Sequence, residues 1–302
     1  MSNLTIIITT SAIQSHPDTH TIDQVIASIQ FEFHEIIIVC DGVSKLNEKY
    51  ESNYNKYLEC LKRKYPSFRI FIRDKHYGFG HNLYWTLQQI QSTFVFVAQH
   101  DQMIIQQIPM DKMIETMEKN REIRYIGLAS PTNCNEAKTR WKLPQFSNLM
   151  NELCNHYKVP QPFNETDLTH FLLYKSNRKY GLPLFPLLTF YDRPHLMRRV
   201  DYLYYFKSGR IRTFPESSLG IEQENDICTK GWNEFLQNYG SYLLYMNYPD
   251  NVSTIHLNGR SKITESERVQ RIQSGMEINA MRADAKNSCL DNVTYFDASL
   301  FS

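Results

Sequence analysis

Short apolar runs alternate with stretches of helical spacing through residues 1–130, and this constrains the fold more than any other feature. Leu4 to Thr10, Glu35 to Val39, Phe68 to Ile72 and Thr93 to Val97 are rich in Ile, Val, Phe and Thr and are bounded by polar residues. Runs of that length and composition are strands, and near-continuous apolarity marks strands buried on both faces. Between them, Ile22 to Ile29 places apolar residues at 22, 25, 26 and 29. Glu48 to Tyr65 is polar with apolar residues at helical intervals, and Leu83 to Ile90 is a third helix, opened by Gly78-Phe79-Gly80-His81-Asn82. Tyr125 to Leu128 reads as a fifth strand. Alternation of this kind predicts an α/β fold, a mostly parallel sheet flanked by helices.

After Pro131 the periodicity weakens. Asn148 to Tyr157 and Glu165 to Tyr174 are predicted helices. Pro183-Leu184-Phe185-Pro186 and Arg193-Pro194 break regular structure. Val200 to Phe206 fits a helix or a strand, and Ile227 to Leu236 a helix. Tyr242 to Asn247 and Ser253 to Leu257 read as short strands, and Ser266 to Ala280 as a helix before a loose tail. No repeat or linker divides the chain. The expectation is one domain over residues 1–302, with a regular half (1–130), an irregular half (131–260) and a C-terminal helix and tail (261–302).

Composition narrows the function. Charged residues are 22% and the net charge is +1, so no global field attracts nucleic acid or an anionic membrane. The six cysteines show no C-x-x-C pair, which argues against a zinc knot or dithiol site and fits a reducing compartment. The opening MSNLTIIITTS lacks a basic n-region and reads as a strand, and no apolar stretch approaches the roughly 20 residues of a membrane span. A cytoplasmic protein is the expectation.

Strand ends carry the chemistry. In a parallel sheet Thr10-Ser11, Asp41 and Gln99-His100-Asp101 fall at one edge, where open α/β sheets hold ligands. A carboxylate at the second strand end can accept hydrogen bonds from a base or ribose. One at the fourth can hold a divalent metal on a diphosphate. Gly78-Phe79-Gly80 follows the third strand, not the first, and lacks a third glycine, which disfavours a dinucleotide-dependent hydride transfer.

With these residues in place, the chain resembles the GT-A nucleotide-sugar glycosyltransferases, in particular inverting family-2-like members. The order of strand, loop, helix, strand ending in Asp41, G-x-G-x-N helix start and strand ending in the metal motif matches residues 1–130. The family carries Asp-x-Asp where this chain has Gln99, His100 and Asp101, so the first carboxylate is missing. Its Arg that contacts the donor falls at His81, followed by Asn82. The opening I-I-I-T-T-S with a following S-H-P also looks like glycosyltransferases of large DNA viruses. The resemblance implies a nucleoside-diphosphate sugar donor, UDP being the guess, a glycan or glycoprotein acceptor, and Mn²⁺ or Mg²⁺. No nucleic acid partner or membrane span is implied.

Two motifs in the second half extend the likeness. Gln223-Glu224-Asn225-Asp226-Ile227 matches the family's Glu-Asp-aromatic-Asp motif with substitutions, which puts Glu224 at the catalytic base, with Glu222 as its rival. A single displacement at the anomeric carbon needs a carboxylate to take the acceptor's proton. A late histidine ligates the metal in such enzymes, and His256 follows a short strand as that ligand should. Arg260 and Lys262 follow closely and could neutralise the leaving diphosphate. Each has a plainer alternative: the carboxylates complement a helix dipole, and His256 is structural. Most of the aromatic middle, including Phe185, Phe190, Tyr191, Tyr202, Tyr204, Tyr205 and Phe206, is expected in the core. Asp192 and Arg193 lie in a Pro-bounded loop whose position the sequence leaves open. The rival functions are a nucleotidyltransferase, disfavoured because Ser11 to Thr21 has no Gly, Lys or Arg, and a binding module that has lost catalysis.

Overall fold

The computed structural model describes residues 3–130, 133–134, 140–141, 143–159, 165–206, 215–246 and 252–257. The expected helix from Ser266 to Ala280, and Arg260 and Lys262, lie outside these residues. The first half folds as the alternation dictates. Strands β1 (Leu4–Thr10), β2 (Glu35–Cys40), β3 (Arg69–Ile72) and β4 (Phe94–Gln99) pair in parallel in the order β3-β2-β1-β4. β1 is central and buried along its whole length, which explains its unbroken apolar run. Each isoleucine removed from water there contributes roughly 1.5–3 kcal/mol. β3 is half exposed, because it forms the sheet edge.

The helices between strands are α1 (His20–Ala27), α2 (Glu51–Lys64) and α3 (Phe79–Leu87). In α2 the residues Tyr54, Tyr57, Leu58 and Leu61 form the buried stripe that the period predicts. The expected helix from Glu48 to Tyr65 begins instead as a 3-10 turn, Lys45–Tyr50. There the Asn47 amide donates to the Ala12 carbonyl at 2.9 Å, drawing the turn onto the loop after β1.

The second half departs from simple alternation. α4 (Met110–Lys119) leads to β6 (Tyr125–Leu128), and then α5 (Ser147–Tyr157), α6 (Glu165–Tyr180) and β7 (Leu184–Pro186) follow. β8 (His195–Arg198) then enters the sheet antiparallel between β4 and β6. α7 (Arg199–Phe206), α8 (Ile221–Lys230) and β9 (Ser241–Leu244) complete the main sheet, in the order β3-β2-β1-β4-β8-β6-β9-β7. β7 and β8 run against the other six strands. The architecture is α/β with a mostly parallel eight-stranded sheet flanked by helices. A second, two-stranded sheet pairs β5 (Gln102–Ile104) with β10 (Thr254–His256), antiparallel, His256 opposite Gln102.

β5, β7 and β8 carry no sequence signal strong enough to be read alone, and β5 and β7 span only three residues each. Sequence reading missed α4, although Met110, Met113 and Met117 stand at helical spacing and are buried. Val200 to Phe206 resolves as a helix, with the strand just before it. The aromatic middle is core as expected: Phe185, Phe190, Tyr191, Tyr202, Tyr205 and Phe206 are buried, and Tyr204 alone of that set is exposed. Among the described residues no helix is long and apolar enough to cross a membrane.

Two buried histidines make this core acid-sensitive. His195 stacks on Tyr125 and Tyr202, donates from Nδ1 to the Arg193 carbonyl and meets the Tyr202 hydroxyl through Nε2. Burial pushes it down to about 4. His16, stacked on Tyr54 and Tyr57, is pushed to about 3 by burial and then by His100. Below about pH 6.5 the unfolded chain takes up protons that the folded chain refuses, so stability present above that pH is lost as pH falls toward 4. His195 alone accounts for about 3 kcal/mol across this window. Urea midpoints measured from pH 7.5 to 4.5 are expected to fall steadily below pH 6.5, and His16→Gln to give a shallower fall. A flat parent profile would refute this assignment.

Candidate active site

The parallel register brings the ends of β1, β2 and β4 together. Thr10 pairs with Cys40, and Thr9 with Gln99, so Thr10, Ser11, Asp41 and Gln99 share one edge. Thr10 is buried, with its hydroxyl 3.3 Å from that of Tyr57, while Ser11 is half-buried.

Asp41 is buried, and its carboxylate is engaged on both oxygens. Oδ1 accepts the backbone N–H of Gly42 at 3.0 Å and of Tyr77 at 2.9 Å. Oδ2 accepts the Gly78 N–H at 3.0 Å and lies 2.7 Å from His76 Nδ1. A carboxylate offers about four acceptor positions, and all are taken. Asp41 therefore ties the second strand to the loop before α3 and sets a negative charge at that helix's N-terminus. The tie is close: a Cβ on Gly42 would meet the Lys75 carbonyl carbon at 2.2 Å, and Gly78 turns the chain with φ +84°. The expected free acceptor for a base is thus a clamp in this structure. Beyond it, His81 is exposed and Asn82 is buried, its Oδ1 lacking a hydrogen-bond partner.

Asp101 and His256 are brought together by the small sheet. β5 starts one residue after Asp101, and β10 ends on His256. Their register sets His256 Nε2 3.1 Å from Asp101 Oδ2, and the Leu257 N–H donates to the Asp101 carbonyl at 2.8 Å. Asp101 is 2% exposed, whereas the His256 side chain is 37% exposed. One carboxylate and one imidazole suit Mn²⁺ or a similar cation. Among the described residues no three metal-ligating side chains converge. The pair therefore fits a site completed by diphosphate oxygens and water, as such cations are commonly held by one or two side chains plus substrate phosphates.

Glu222 and Glu224 lie in the first turn of α8, both half-buried. Glu224 forms an ion pair with Arg140 Nη1. Gln223 between them is buried and donates to the Leu187 carbonyl at 3.1 Å, which fixes the helix start. Asp226 is committed elsewhere, accepting the Tyr239 hydroxyl at 2.6 Å and pairing with Lys230 at 3.1 Å. A polar relay joins this region to the end of β4. Gln99 Nε2 donates to the Asp192 carbonyl at 3.2 Å, and the Asp192 N–H donates to Glu216 Oε1 at 3.0 Å. Glu216 opens the π-helical turn Glu216–Gly220 that runs into α8. Sequence reading missed Arg140 and Glu216, since neither belongs to a motif and their partners are distant in the chain.

No family model and no curated protein matches this chain. Among solved structures it is similar to glucosyl-3-phosphoglycerate synthase from Mycobacterium tuberculosis in complex with Mn²⁺, UDP and glucosyl-3-phosphoglycerate, at 10% identity over 90% of this chain and 76% of that chain, with a TM-score of 0.41. It is similar to the mannosyltransferase PcManGT from Pyrobaculum calidifontis in complex with GDP-Man and Mn²⁺, at 9% identity over 82% and 58%, with a TM-score of 0.39. It is also similar to S. aureus TarS in complex with UDP-GlcNAc, at 15% identity over 43% of this chain and 34% of that one, with a TM-score of 0.32. The chain thus spans about a third of that TarS chain. What it shares with these glycosyltransferases is the α/β architecture; likeness this distant assigns no residue.

Proposed function

We propose that this protein is a glycosyltransferase that moves a sugar from a nucleoside-diphosphate donor to a hydroxyl of a glycan or other acceptor, with inversion. The observation that carries the reading is the apposition of Asp101 and His256, an oxygen and a nitrogen ligand 3.1 Å apart at the ligand edge of a parallel sheet. Thr10, Ser11, His81, Asn82 and Gln99 border the donor, and Asp41 shapes its floor by clamping the loop before α3. Asp101 and His256 would hold Mn²⁺ or Mg²⁺, which as a Lewis acid stabilises charge on a departing diphosphate. Glu224 accepts the acceptor's proton at its free carboxylate oxygen positions while Arg140 holds the group in place. Gln223 keeps the first turn of α8 rigid, so the base sits in a fixed position for attack.

Thermal unfolding against UDP, GDP, CDP and dTDP, each with and without Mn²⁺, tests this reading. A ligand that binds only the native state stabilises by about 2.7 kcal/mol at a hundred times its dissociation constant. One diphosphate is expected to raise the melting temperature, and Mn²⁺ to increase the effect in the parent but not in Asp101→Asn. Hydrolysis or transfer of the matching nucleotide sugar then follows as the activity readout. If no diphosphate stabilises the protein at millimolar concentration, the donor-site reading fails and a binding module without catalysis takes its place.

A further inference from the structure

The loop from Asp192 to Pro194, undefined in the sequence, is placed by β8. Val97 of β4 pairs with His195 of β8 in antiparallel register. Carried two residues on, the same register sets Arg193 opposite Gln99, beside the edge where Asp101 follows. The contact between Gln99 Nε2 and the Asp192 carbonyl, 3.2 Å, agrees with that placement. The loop is held from several sides. Its Asp192 N–H donates to Glu216, His195 Nδ1 donates to the Arg193 carbonyl, and the Leu128 N–H donates to the Pro194 carbonyl at 2.8 Å.

Arg193 differs from most arginines near this sheet. Among the described residues Arg73 also lacks an ion pair, but its guanidinium is stacked on Tyr77 and Trp85. Arg69 pairs with Glu35, Arg124 and Arg198 with Asp201, and Arg140 with Glu224. The half-buried Arg193 makes no side-chain hydrogen bond or ion pair among the described residues, and its Nε is buried without a partner. An arginine on a fixed loop whose guanidinium makes no hydrogen bond can take an anion, and the guanidinium fork matches phosphate oxygens two at a time. The residue opposite it matters equally. A carboxylate at position 99 would pair with Arg193, whereas the neutral Gln99 spends its amide on the loop backbone and leaves the guanidinium open.

We propose that Arg193 binds the diphosphate of the donor, and that Gln99 keeps it available by contributing no competing charge. This rests on the donor-site reading above. In that arrangement two devices neutralise the diphosphate, a metal at Asp101 and His256 and a fixed guanidinium at Arg193, and the second works without metal.

Titration calorimetry with inorganic pyrophosphate and with the best nucleoside diphosphate, each with and without Mn²⁺, tests the proposal, and the nucleoside alone serves as control. Arg193→Gln is expected to weaken both diphosphate ligands about tenfold or more, also without metal, while leaving nucleoside binding and the unliganded melting temperature unchanged. Arg193→Lys is expected to recover part of the loss, because the charge returns without the fork. Gln99→Glu is expected to weaken metal-free pyrophosphate binding in the parent background and to add little in Arg193→Gln, the coupling that a shared contact produces. If the parent binds a diphosphate and Arg193→Gln binds it equally well, the assignment of Arg193 is overturned and the donor site stands. If the parent binds no diphosphate at all, both fall together.

Discussion

Glu224→Gln is expected to lower turnover with the matching nucleotide sugar by about a hundred- to ten-thousand-fold, the usual contribution of a positioned general base. The amide is isosteric and cannot take the acceptor's proton. Donor binding should be unchanged, since the variant alters only the acceptor side. The same change removes the ion pair with Arg140, in which the side chains are 33% and 16% exposed. The amide keeps an oxygen acceptor for Arg140, so the contact survives as a hydrogen bond when the charge is lost. A large loss of turnover at an unchanged melting temperature therefore reports chemistry. Glu222→Gln supplies the comparison: it should retain most activity. If the two results are exchanged, Glu222 is the base. If both variants match the parent, neither carboxylate is.

The largest effect on stability is expected at Asp41. Asp41→Ala leaves the N–H groups of Gly42, Tyr77 and Gly78 without their acceptor, in a site where Asp41 itself is 4% exposed. Removing one partner from a buried, charged hydrogen-bond cluster costs about 3–5 kcal/mol, measurable as a shift in urea midpoint at unchanged slope. His76→Ala should cost much less, because that side chain is 39% exposed. A loss under 1 kcal/mol in Asp41→Ala would show that the loop before α3 holds without the clamp. A variant Asp41→Asn that keeps its stability but loses nucleotide affinity would return Asp41 to the role of direct base contact.

Much of the edge was legible before the structure, for a physical reason. β1 is anticipated to the residue, and β2 and β4 to within two residues, because strands buried on both faces need unbroken apolar runs. Their polar ends then fall together at one edge of the sheet. The sequence places Glu222 and Glu224 just before a helix starting at Ile227, whereas the helix starts at Ile221 and takes both into its first turn. The Asp41 carboxylate was legible in position but not in use. Its partners are backbone N–H groups, which every residue carries and which leave no trace in composition.

The sequence by itself determined the α/β class, the four parallel strands that begin the fold and the residues standing at their ends, since period and apolarity are local properties. Tertiary structure alone decided the insertion of β8 between β4 and β6, and with it the contact of Gln99 with the Asp192 carbonyl. It also decided the pairing of β5 with β10 that sets His256 beside Asp101, and the meeting of Arg140 with Glu224. These are contacts between distant segments, several of them only three or four residues long. Their free energy comes from burial and hydrogen bonding between segments far apart in the chain, against the entropy of closing long loops, so no window of sequence contains the terms that fix them.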